Sequence, residues 1–128
     1  MTVFSIERPF KLREQQRDDL TILFAVGLME MMELGVLETA LKRSVREGRH
    51  RVIVDLSEVT TLSTLVVAGF VICAESLRSS GGEMTVTGVS RSLRDAFRMI
   101  DSDGKINQQT DVVAAIKAMS QCSAEKVG

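Results

Sequence analysis

A chain of 128 residues, 45% of them hydrophobic, is long enough to bury a core within one domain and too apolar to be read as a disordered segment. Lysine and arginine number 16 against 17 aspartates and glutamates, for a net charge of −1; with no basic block and no aromatic cluster, nucleic-acid binding is disfavoured. Cys73 and Cys122 have no metal-ligand spacing and read as reduced thiols, and the longest apolar run, Leu65–Ala74, is about half of the roughly 20 residues a membrane span needs. The residues after Met1 lack the basic and hydrophobic regions of a signal peptide, so a cytoplasmic protein without direct membrane insertion is expected.

In chain order, Thr2–Ile6 and Phe10–Arg13 read as short strands separated by Pro9, which cannot donate to a ladder. Gln15–Asp19 reads as a polar turn and Leu20–Val26 as a strand ended by Gly27. Leu34, Leu37, Leu41 and Val45 then recur at spacings of three and four, with Glu38 and Lys42 paired on another face. That pattern predicts an amphipathic helix over Leu34–Glu47 with Gly48 as its C-terminal cap. His50, between basic residues, reads as a solvated histidine.

Arg51–Leu56 is β-branched at Val52, Ile53 and Val54, as suits a strand covered on both faces and therefore central in its sheet. Ser57–Thr61 reads as a polar turn leading into a helix over Thr64–Ser79, followed by a turn at Gly81-Gly82 and a strand over Glu83–Thr87. Ser90 can cap a helix with Leu93, Phe97 and Ile100 on one face. After a turn at Asp101–Gly104 comes a short strand, Lys105–Gln108. Thr110 or Asp111 then caps a last helix with Val112, Ile116 and Met119 inward, and the tail over 119–128 is expected to fray. The alternation predicts one α/β domain over 1–128, a mostly parallel sheet of about 4–5 strands flanked by about four helices.

In such a sheet partners and ligands gather at the C-terminal ends of the strands, where Gly27–Glu33 and Ser57–Thr64 come together. On the helix Thr64–Ser79, Val67, Val71, Ala74 and Leu77 form the stripe suited to the sheet. Leu65, Ala68 and Ile72 form a second, surplus stripe: a docking or self-association face, or one that packs under the N-terminal strands. The cluster Leu28–Met32 reads either as core or as an adaptable docking surface of flexible thioethers. Met29, Glu30, Leu65, Ala68 and Ile72 are accordingly the candidate partner-binding residues. Ser63 or Thr64 can be a helix N-cap, or a place where a phosphate is well tolerated. With no glycine-rich nucleotide loop, triad or metal cluster, no catalytic residue, cofactor or metal ligand is assigned, and a receiver domain is set aside because only Glu30 supplies an acid after the first long strand.

The segments Gly27-Leu-Met-Glu30, Arg51-Val-Ile-Val-Asp-Leu-Ser57, Val59-Thr60 and Gly81-Gly-Glu-Met-Thr-Val-Thr-Gly-Val-Ser90, continuing from Leu93, resemble the STAS domain of bacterial anti-sigma factor antagonists, from about Leu20 to Met119. The resemblance implies a binding protein and not an enzyme: one that sequesters an anti-sigma factor of the histidine-kinase-like ATPase type and is switched off when that kinase phosphorylates it. A PP2C-type serine phosphatase would be a further partner. The family's usual Asp-Ser-Ser-Gly falls on Ser63, Thr64, Leu65 and Val66, of which Thr64 keeps the acceptor chemistry, with Ser63 as the neighbouring alternative. The other function the resemblance implies is a constitutive STAS scaffold or accessory subunit, as in stressosomes or lipid-transport complexes, that docks without phosphorylation.

Overall fold

The computed structural model describes residues 9–127, and of 60, 61 and 120–127 the backbone only. The predicted strand Thr2–Ile6 lies outside the described residues, as does Gly128, and the side chain of Cys122 and most of the tail expected to fray lie outside the described side chains.

The chain opens with a hairpin, β1 (Lys11–Arg17) and β2 (Leu20–Leu28), paired antiparallel from Lys11↔Val26 to Arg17↔Leu20. The turn is therefore Asp18-Asp19 alone and not Gln15–Asp19. Asp18 sits at φ 52°, a left-handed conformation that a short polar side chain tolerates. Gln15 to Arg17 stay in the strand because an edge strand can turn polar side chains to water while its backbone pairs on one side, and charge there discourages association with other edges.

Three βα units follow: α1 (Met31–Arg46), β3 (Arg51–Thr61), α2 (Thr64–Ser79), β4 (Glu83–Thr87), α3 (Arg91–Ile100) and β5 (Ile106–Gln109), with α4 (Val112–Val127) last. The five-stranded sheet has the order β1-β2-β3-β4-β5, parallel from β2 onward, with β3 in the middle as its β-branched run predicts. Alternation along the strands divides the core. Leu23 and Ala25 of β2, Val52, Val54 and Leu56 of β3 and Met84 and Val86 of β4 face α1, α2 and α3. Leu20, Ile22 and Ile53 face Ala115 and Met119 of α4 on the other side.

Two boundaries differ from the sequence reading in ways that shape the site. Helix α1 begins at Met31 rather than Leu34, because Glu30 is its N-cap and the Glu30 backbone N–H donates to Glu33 Oε1 at 2.8 Å, one half of a capping box. Strand β3 runs on through Ser57–Thr61, read from sequence as a turn. Its register against β2 slips between Phe24/Val26 and again between Gly27/Leu28, so bulges absorb extra residues while the backbone stays paired. Helix α2 has its predicted bounds, and Gly48, at φ 85°, closes α1 as expected.

Candidate docking and switch site at the start of helix α2

Ser63 precedes α2 in extended conformation, and its hydroxyl accepts the Val66 N–H at 3.3 Å. The cap therefore belongs to Ser63. Thr64, the first helical residue, is exposed, and its hydroxyl has no hydrogen bond with any described residue. No acid occupies the first turn of α2, so the positive end of the helix dipole there is not already neutralised from within the helix.

The two predicted loops do meet. Leu28, Met29, Glu30, Met31 and Met32 line one shallow depression together with Ser63. Met29 corrects the sequence reading: at 1% exposure its side chain is part of the core between sheet and helices, since it follows the end of β2 inward before the chain turns into α1. The thioethers that face outward are those of Met31 and Met32, at 50% and 86% exposure. The capping spacing Glu30-x-x-Glu33 was the signal that places them on the first turn of a helix. Glu30 is exposed at the rim.

Helix α2 sorts its apolar residues mostly as expected. Val67, Ala74 and Leu77 are buried and Val71 partly so, whereas Leu65 and Ile72 stand 64% and 66% exposed with Ala68 partly exposed between them. Among the described residues, the surplus stripe does not pack under β1. The sequence reading missed a third buried set, Val66, Gly69, Phe70 and Cys73. Gly69, Phe70 and Cys73 of this set lie toward the flanking helices. Phe70 meets Phe97 of α3 edge to face at 5.8 Å, and a Cβ on Gly69 would lie 2.1 Å from Leu34 Cδ2 of α1. Further along, Ile72 borders a groove between α1 and α2 with Leu41, Val45 and the Glu38–Lys42 ion pair of 2.8 Å. Burial, with the nearby Glu38 charge, pushes the Cys73 thiol up to about 11, so it stays protonated and unreactive at neutral pH.

Beside the site, Asp55 at the turn of the β3 register accepts the Thr87 hydroxyl at 2.8 Å and the Ser57 hydroxyl at 2.6 Å. Its carboxylate ties β3 to the end of β4, and Gly88 follows at φ 68°, close against Ser57. His50 differs from its solvated reading: it is half buried at the far end of the sheet, and its Nδ1 has no hydrogen-bond partner among the described residues. Among the described residues no cluster of His, Cys, Asp and Glu could hold a metal, and no helix is long and apolar enough to cross a membrane.

The model of one protein family, the STAS domain, matches residues 11–115. No curated protein matches the chain by sequence. Solved structures do. An anti-sigma factor antagonist from Mycobacterium paratuberculosis superposes with a TM-score of 0.71 at 18% identity, covering 86% of this chain and 93% of its own. RsbS from Moorella thermoacetica, as a serine-to-glutamate variant, gives 0.74 at 9% identity over 89% and 98% of the two chains. The Bacillus cell fate determinant SpoIIAA in its phosphorylated form gives 0.65 at 12% identity over 86% and 99%.

Proposed function

The chain belongs to the STAS domain family, and from that premise we propose that it is an anti-sigma factor antagonist, acting in the bacterial cytoplasm by binding and not by catalysis. Its partner would be an anti-sigma factor of the histidine-kinase-like ATPase type, held against Leu65, Ala68 and Ile72 of α2 with Glu30 and the exposed Met31 and Met32 at the rim. Phosphorylation of Thr64 releases the partner, and a PP2C-type serine phosphatase restores binding.

One observation carries this reading. Thr64 offers an exposed hydroxyl without a described partner at the first position of a helix, directly beside an exposed apolar stripe. A phosphate there adds about −1.5 to −2 charges facing free N–H groups and the helix dipole, so the fold accepts it. The interface does not: an apolar contact beside a dianion must desolvate that charge. That related folds are known as antagonists, one of them phosphorylated, supports the choice.

The constitutive scaffold is the second reading, favoured by Leu65 and Val66 standing where the family has serine and glycine. Leu65 is an exposed apolar residue where the phospho-switched members have a hydroxyl. Long incubation with the cognate kinase and ATP decides between them by intact mass. The expected result is one added phosphate, mapped to Thr64, absent in Thr64→Ala, and accompanied by loss of the complex. An unchanged mass with the complex still forming removes the switch and leaves the scaffold.

A further inference from the structure

Away from α2, Arg43, Arg49 and Arg51 each pair with a carboxylate. Arg94 and Arg98 do not. They stand one turn apart on the exposed side of α3, and their side chains make no hydrogen bond or ion pair with any described residue. Both line a depression of about 300 Å³ whose remaining walls are Val89, Gln108, Gln109 and Thr110. Among the described residues no carboxylate lines it. Asp111, next along the chain, has Oδ1 turned to the Ala114 N–H at 2.8 Å as the cap of α4. Like charges four residues apart on a helix repel. The helix dipole favours Arg98, in the last turn of α3, but gives no such support to Arg94. Two arginines thus share the wall of one depression with residues whose side chains are neutral hydrogen-bonding groups, in a chain whose net charge is −1.

We propose that this depression between α3 and β5 binds a small molecule through a diphosphate group, with Arg94 and Arg98 as its charged ligands and Gln108, Gln109 and Thr110 as neutral donors. Guanidinium forks match phosphate oxygens bidentately, and a pair of them suits a group with several negative charges better than a single carboxylate. The place agrees with the chemistry. Gln108 and Gln109 end β5, and in open α/β sheets ligands gather at the C-terminal ends of the strands. Val89 supplies an apolar wall against which the rest of the molecule can lie. The site shares no residue with the docking stripe or with Thr64, so it stands independently of the function proposed above.

The test is a titration of the full chain with inorganic pyrophosphate at constant ionic strength, followed residue by residue through backbone amide NMR, with acetate in parallel. Saturable shifts are expected at Arg94, Arg98 and Gln108–Thr110, with acetate producing much weaker ones. The double variant R94Q/R98Q should keep the wild-type melting temperature, since both side chains are exposed, and bind pyrophosphate roughly tenfold or more weakly, as the loss of charge-assisted hydrogen bonds demands. Absence of saturation, shifts centred on the start of α2, equal binding of acetate, or undiminished binding by the folded double variant would each overturn the proposal.

Discussion

Two side chains on one helix separate core packing from the proposed docking face at the level of single residues. Leu77 is 3% exposed under the sheet and Ile72 is 66% exposed beside the groove, although both are large aliphatics on α2. Leu77→Ala should cost about 2–5 kcal/mol because the core cannot fully collapse around the missing atoms. Ile72→Ala should stay within about 0.5 kcal/mol of wild type, as surface substitutions do. Urea denaturation of both variants measures the difference, and equal losses would show that α2 is docked with another face inward. Gly88 is the second such residue. Its φ of 68° costs any other L-residue about 1–2 kcal/mol. An added Cβ would also lie 2.8 Å from Ser57 N, a backbone atom that cannot rotate away. Gly88→Ala should therefore lower the denaturation midpoint clearly and loosen the Asp55 clamp between β3 and β4; a variant as stable as wild type would mean that the approach to Ser57 is not retained in solution.

At the scale of elements, period and punctuation made α2, β4 and α3 readable with their bounds. Gly81-Gly82 and Ser90 mark their edges. What failed was legible only through pairing. Ser57–Thr61 is polar enough to read as a turn, and its place in β3 is set by β2 alongside it and by bulges that no single-strand pattern reveals. The same limit hid the burial of Gly69 and Phe70, which depends on α1 and α3 closing on α2 from either side. Because those flanks are covered, the exposed apolar surface of α2 narrows to Leu65 and Ile72 with Ala68 between, a stripe suited to one partner element. Ile72→Asp should then abolish most binding to the cognate anti-sigma factor, since an unpaired charge in a desolvated contact costs several kcal/mol, while the melting temperature holds. Calorimetric titration checks this, and wild-type affinity in a folded variant would move the docking face elsewhere.

For the whole molecule, the sheet and its two cores bear on whether the proposed phosphorylation of Thr64 could act without refolding. The architecture was readable because strands and helices alternate. The site was readable only in part: Thr64, Leu65 and Ile72 are surface positions as expected, whereas Met29 is core, because an apolar cluster does not disclose which of its members follows the strand inward. Thr64 lies outside both cores and its hydroxyl bonds to no described residue, so charge placed on it changes the surface and leaves the packing of α1, α3 and α4 on the sheet as it was. A Thr64→Glu variant tests this with one charge in place of a phosphate's nearly two. Its backbone amide shifts should be confined to the region around the depression, the β2–α1 junction over Gly27–Glu33 and the first turns of α2, with unfolding free energy near that of wild type. Binding should weaken by a smaller factor than phosphorylation causes, because the carboxylate carries less charge and fewer acceptor oxygens. Shifts that spread through β5 and α4 would mean that the charge is transmitted through the fold, and the switch would then have to be described as a conformational change rather than as repulsion at a surface.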